Sequence, residues 1–116
     1  MCGIEPLCGE VYDCRLPAPI GSHHWVVLTA NPLILRFASV IVAPVTGTPG
    51  PRPLLIPVGA EAGPTGHSES YVDPTSVCTV SKARLRRRRG RLSPSELTAI
   101  EHGLATVIGL DLADPD

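Results

Sequence analysis

Aromatic residues are scarce in this chain: Tyr12, Trp25, Phe37 and Tyr71 are the only ones in 116 residues. A core must therefore be assembled from the Val, Leu, Ile and Ala within its 43% hydrophobic content. No apolar run approaches the ~20 residues that cross a bilayer as a helix. The N-terminus lacks a basic region followed by an apolar stretch, so no signal peptide is read and a cytoplasmic location is expected. Cys2, Cys8, Cys14 and Cys78 form no Cys-x-x-Cys pair and have no His at zinc-like spacing. They read as reduced thiols, with no metal and no cofactor implied. A net charge of −1 gives the whole chain no pull toward nucleic acid.

Proline and glycine are plentiful instead. Thirteen prolines and eleven glycines cut the chain into short pieces, which favours short strands over long helices. The length fits one domain able to bury roughly 65% of its unfolded surface. Residues 1–7 read as a flexible leader, 8–110 as the domain and 111–116 as an acidic tail carrying Asp111, Asp114 and Asp116. Strands are expected over Gly9–Leu16, Trp25–Thr29, Phe37–Val45 and Pro53–Val58, the last at a sheet edge because prolines flank it. Two short strands follow, Ser70–Asp73 and Ser76–Val80, then one helical turn over Ser81–Leu85 and a basic strand or loop over Arg86–Leu92. Ser93-Pro94-Ser95-Glu96 is a capping box with Pro at the first helical position. Leu97, Ile100, Leu104, Val107 and Ile108 then share one helical face, and Gly109 suits a left-handed terminator. The fold class is mainly β with a C-terminal α-helix laid on a small antiparallel barrel.

Ser39-Val-Ile-Val-Ala-Pro-Val-Thr46 is the most informative stretch. Its apolar run is expected to stop at Pro44 and to carry one hydroxyl, Thr46, to the rim of the core. A second strand begins just after His23-His24, so imidazole and hydroxyl can meet at two strand ends. His suits proton transfer at neutral pH. The same residues also read as a solvated turn and a strand-end cap. Trp25 either stacks a base or packs in the core. Seven of the ten basic residues fall between Lys82 and Arg91. That run is either a solvated face, paired with the acidic tail, or a track for phosphates through Arg84, Arg86, Arg87 and Arg88.

The order of these pieces resembles the MazF/PemK/Kid family of bacterial toxins. Gly9-Glu-Val-Tyr resembles the family's opening strand, Val26-Val-Leu-Thr29 its Val-Val-(Leu/Val)-Ser strand and Val42-Ala-Pro-Val-Thr46 its Val-x-Pro-x-(Thr/Ser) motif. Val80–Leu85 followed by Gly90–Leu97 is similar to the segment leading into the last helix. The resemblance implies an SH3-like barrel of the CcdB/PemK type. It also implies a metal-independent, sequence-selective endoribonuclease that cuts single-stranded RNA, forms a homodimer and is blocked by a MazE-like antitoxin. Thr46 falls on the catalytic Thr or Ser. His23 falls on the position of the catalytic Arg and His24 on the Pro after it, with His24 the fallback if the turn shifts by one. The alternative implied by the fold is a non-catalytic protein that binds nucleic acid or a topoisomerase. RNA recognition would fall to the loops Leu16–Ser22 and Gly47–Arg52.

Overall fold

The computed structural model describes residues 5–15, 22–47, 55–59 and 70–110. Strands run over β1 (Glu10–Arg15), β2 (Ser22–Val27), β3 (Ser39–Thr46), β4 (Ile56–Val58), β5 (Ser70–Val72), β6 (Cys78–Ser81) and β7 (Leu85–Arg91). A one-turn helix, α1 (Asn31–Ile34), follows β2, and α2 (Pro94–Val107) ends the fold. Short 3₁₀ turns at Pro74–Ser76 and Lys82–Arg84 flank β6. The acidic tail lies outside the described residues, and so do most of the two recognition loops.

The strands form one antiparallel sheet of order β4-β5-β3-β2-β1-β7, with β6 also paired to β3. The expected mainly antiparallel sheet with its terminal helix is present, but no ladder among the described residues closes it into a barrel. The strands branch at β3, where β6 pairs with Ser39–Val42 and β5 with Val45 and Thr46. Pro44 lies within β3, as in the expected strand Phe37–Val45, and occupies the gap between those two partners. Its carbonyl accepts from Asp73 N at 3.1 Å. A residue's N–H and C=O leave a strand on the same side, so the missing N–H costs no ladder bond to β2. The second proline in a strand, Pro57, sits in the edge strand β4, as its flanking prolines foretold.

Apolar side chains alternate between the two faces of the sheet. Tyr12, Cys14, Trp25, Val27, Ile34, Val40, Val42 and Val80 form one cluster. Val11, Val26, Ala43, Val45, Val72, Leu92 and Ile100 form the other, on the face covered by α2. Within the stretch read as a leader, Glu5–Leu7 is tied down. Pro6 is buried, and Glu5 meets Lys82 Nζ at 3.0 Å, the same ammonium that donates to Ile34 O.

Both ends of α2 follow the sequence. Ser93 Oγ accepts from Glu96 N at 3.2 Å, and Glu96 Oε1 accepts from Ser93 N at 2.8 Å. Glu96 Oε2 also accepts from Gly59 N, tying β4 to the helix start. At the other end Gly109 has φ +76°, and Leu110 N and Gly109 N donate to Ala105 O and Thr106 O. That pair of bonds is a Schellman motif, which favours glycine at this position. The apolar stripe is only partly covered: Ile100 is buried and Leu97 packs against the sheet, while Val107 and Ile108 stay 40% and 66% exposed.

Candidate active site

β2 and β3 are neighbours, and their register pairs His24 with Val45, Trp25 with Pro44 and Val26 with Ala43. The ladder ends at the His24–Val45 pair, next in sequence to positions 23 and 46. Thr46 is half-buried and is the last residue of β3. It lies opposite Tyr71 on β5, also half-buried. Val45 belongs to the helix-side cluster, so Thr46 faces the other way, with Val42 and Trp25.

His24 lies on the helix side. Its Nε2 is 2.9 Å from Asp13 Oδ1, and Asp13 is its register partner on β1. Asp13 is held from its other flank by Arg89 of β7, whose Nε donates to Oδ1 at 3.0 Å and Oδ2 at 2.9 Å. The fallback pairing of His24 with Thr46 is therefore corrected: consecutive residues of a strand face opposite ways, and His24 is committed to Asp13 across the sheet from Thr46. Asp13 and Arg89 carried no role in the sequence reading. The signal was the even spacing that puts Asp13 on the same face as Val11, with no indication of which basic residue would reach it.

The basic run is divided by the bulges of β7. Tyr12 pairs with Arg88, Val11 with Gly90 and Cys14 with Leu85, so β7 carries extra residues in two places. Neighbouring arginines of the strand serve different faces, and the bulges shift which β1 residues they meet. Arg88 Nη1 donates to Glu10 Oε2 at 3.0 Å. Glu10 is buried, and its Oε1 accepts from Leu7 N at 2.8 Å and from Tyr12 Oη at 2.9 Å. Burial first, then the Glu10 carboxylate, pushes the Tyr12 phenol up to about 12. Arg86, Arg87 and Arg91 are exposed along β7, and Arg84 is exposed in the turn before it. Among the described residues, the carboxylates that β7 meets are thus on β1.

Trp25 is only 4% exposed and sits in the core cluster with Tyr12 and Val27. Its role as an RNA platform is corrected: the indole offers too little open face, and Tyr71, across from Thr46, is the aromatic at the site. Burial raises the thiols of Cys8, Cys14 and Cys78, which leaves them poor nucleophiles. Among the described residues no group of three or more His, Cys, Asp and Glu side chains is placed to hold a metal ion. No described helix is long and apolar enough to cross a membrane.

Residues 8–108 match the family described as PemK-like, MazF-like toxin of type II toxin-antitoxin system. The chain belongs to this toxin family. It is 30% identical over 105 residues to the endoribonuclease MazF1 of Mycobacterium bovis, a match that covers 90% of this chain and 94% of the relative. An endoribonuclease from Mycobacterial species superposes with TM-score 0.80 at 26% identity, covering 97% of this chain and 100% of the other. A second, solved in complex with its cognate antitoxin, gives TM-score 0.75 at 26% identity over 94% and 98% of the two chains. Membership in the MazF-like family accounts for the sheet-and-helix architecture.

Proposed function

We propose that this MazF-like toxin, an endoribonuclease of a toxin–antitoxin system, cuts single-stranded RNA where β2 and β3 present positions 23 and 46. The observation that supports the reading is the His24–Val45 pair that ends the β2–β3 ladder, since positions 23 and 46 are its sequence neighbours. The ribose 2′-hydroxyl attacks the adjacent phosphorus, and the bond to the 5′-oxygen breaks. An imidazole at position 23 takes the 2′ proton or returns one to the leaving oxygen, a contribution of about 10²–10⁴-fold. Thr46 donates to a non-bridging phosphate oxygen.

An Arg at position 23 would offer fixed charge in place of proton transfer. Stabilising the phosphorane therefore falls to the exposed Arg84, Arg86 and Arg87, with Tyr71 in place to stack a base. The reaction draws on no metal. The toxin acts in the cytoplasm, as a homodimer, and a MazE-like antitoxin blocks it. The exposed Val107, Ile108 and Leu110 support a contact between copies at the end of α2.

The test is cleavage of a defined RNA in EDTA. His23→Ala and Thr46→Ala should each remove at least about 100-fold of the rate with folding intact. Binding of RNA without cutting, by the parent protein, would end the nuclease reading.

A further inference from the structure

The three residues that open β2, Ser22-His23-His24, are polar, and two of them are identical in kind. Trp25 pins the middle of the strand by its bulk. Strand ends fray unless tied down, and a slip of one residue turns a strand's side chains to the opposite face. The tie is Asp13. It sits on β1 directly across from His24, meets Nε2 at 2.9 Å, and is itself gripped by Arg89 from β7. One carboxylate thus stitches three adjacent strands at the edge of the helix-covered face. The His24, Asp13 and Arg89 side chains are 19%, 29% and 31% exposed, so the stitch is partly shielded from solvent, unlike an open surface pair. Arg89 is the extra residue of the β7 bulge, between the Gly90–Val11 and Arg88–Tyr12 pairs.

We infer that Asp13 is a positioning residue for RNA cleavage: by holding His24, with Arg89 behind it, Asp13 fixes the start of β2 and keeps position 23 beside Thr46. The inference rests on the reading of His23 as the acid–base group. Displacement of a reacting group by about 1 Å costs on the order of 100-fold in rate. His24 is then the handle by which the neighbouring histidine is held, and the pair is two residues with two tasks.

The test compares Asp13→Ala, Asp13→Asn, His24→Ala, His24→Gln and His23→Ala with the parent. All are assayed on one defined RNA in EDTA, at a temperature where circular dichroism shows each fully folded. Asp13→Ala and His24→Ala should lower kcat about 10- to 100-fold and change KM less than about threefold. His24→Gln, whose amide nitrogen reaches the place of Nε2 and can still donate to Asp13, should recover to within about threefold of the parent. Should Asp13→Ala fail to fold, Asp13→Asn decides: it keeps the volume, loses the shared charge, and should lower kcat about 3- to 10-fold. Parent-like cleavage by Asp13→Asn and His24→Ala, with His23→Ala inactive, overturns the positioning role and leaves the nuclease reading standing. Parent-like cleavage by His23→Ala, with His24→Ala and His24→Gln both inactive, overturns both, because His24 would itself be the acid–base group.

Discussion

At position 46 the side chain contributes a hydroxyl at a strand end, so serine and alanine separate chemistry from shape. Thr46→Ser should keep cleavage within about tenfold of the parent, and Thr46→Ala should lose on the order of 10²–10³-fold, as removal of a transition-state donor does elsewhere. Urea unfolding should place both within about 1 kcal/mol of the parent. Tyr12 gives a test of stability instead. Its phenol, buried against Glu10, titrates at about 12 in the folded chain against about 10 when unfolded. The folded state therefore holds the proton more tightly, so the stability it contributes is full below pH 10 and is lost as pH rises toward 12. Urea titrations at pH 9 and pH 11.5 should show a fall of roughly 2 kcal/mol that Tyr12→Phe abolishes. Tyr12→Phe should also cost about 1 kcal/mol at neutral pH through its lost hydrogen bond. Residue types were legible in the sequence here, whereas the Glu10–Tyr12–Arg88 network was not. Arg88 lies 78 positions from Glu10, and only the β1–β7 ladder brings them together.

Among the elements, β7 is where one composition hides two functions. A run of arginines reads uniformly in sequence, yet Arg88 and Arg89 are spent on Glu10 and Asp13, while Arg86 and Arg87 stand exposed. Arg88→Ala should destabilise the fold by about 1–3 kcal/mol, because it strips one partner from a buried carboxylate. Arg86→Ala and Arg87→Ala should leave stability within about 0.5 kcal/mol. Each should weaken RNA binding and reduce the slope of log affinity against log salt by about 0.7. Fluorescence anisotropy across a salt series checks the binding and urea unfolding checks the stability. In β3 the expected strand runs through a proline, and the reason lies outside the local sequence. Pro44 is an ordinary stop signal in sequence, and only the branching of β5 and β6 along one edge of β3 reveals why the ladder runs through it. The capping box and the Gly109 terminator of α2 were legible because they are local, set by hydrogen bonds within a few residues.

Over the whole molecule, the mainly β architecture and the single terminal helix follow from many Pro and Gly breaks and one sustained helical periodicity. Closure into a barrel did not follow, since it depends on which edges meet, and edge pairing leaves no local mark. The half-covered stripe of α2 bears on assembly. The chain should sediment at twice its 12.2 kDa mass, and Ile108→Asp should shift it toward the monomer without changing its circular dichroism. Sedimentation velocity of both proteins checks this. The position of β7 has one more consequence. The first strand has its outer edge closed by the last, with Asp13 and Arg89 separated by 76 positions. A ribosome must therefore have made the chain through Arg89 before β1 is flanked on both sides. A nascent copy that stops short of β7 leaves Asp13 without the guanidinium that grips it, so the histidine-bearing and carboxylate-bearing strands meet before their clamp exists.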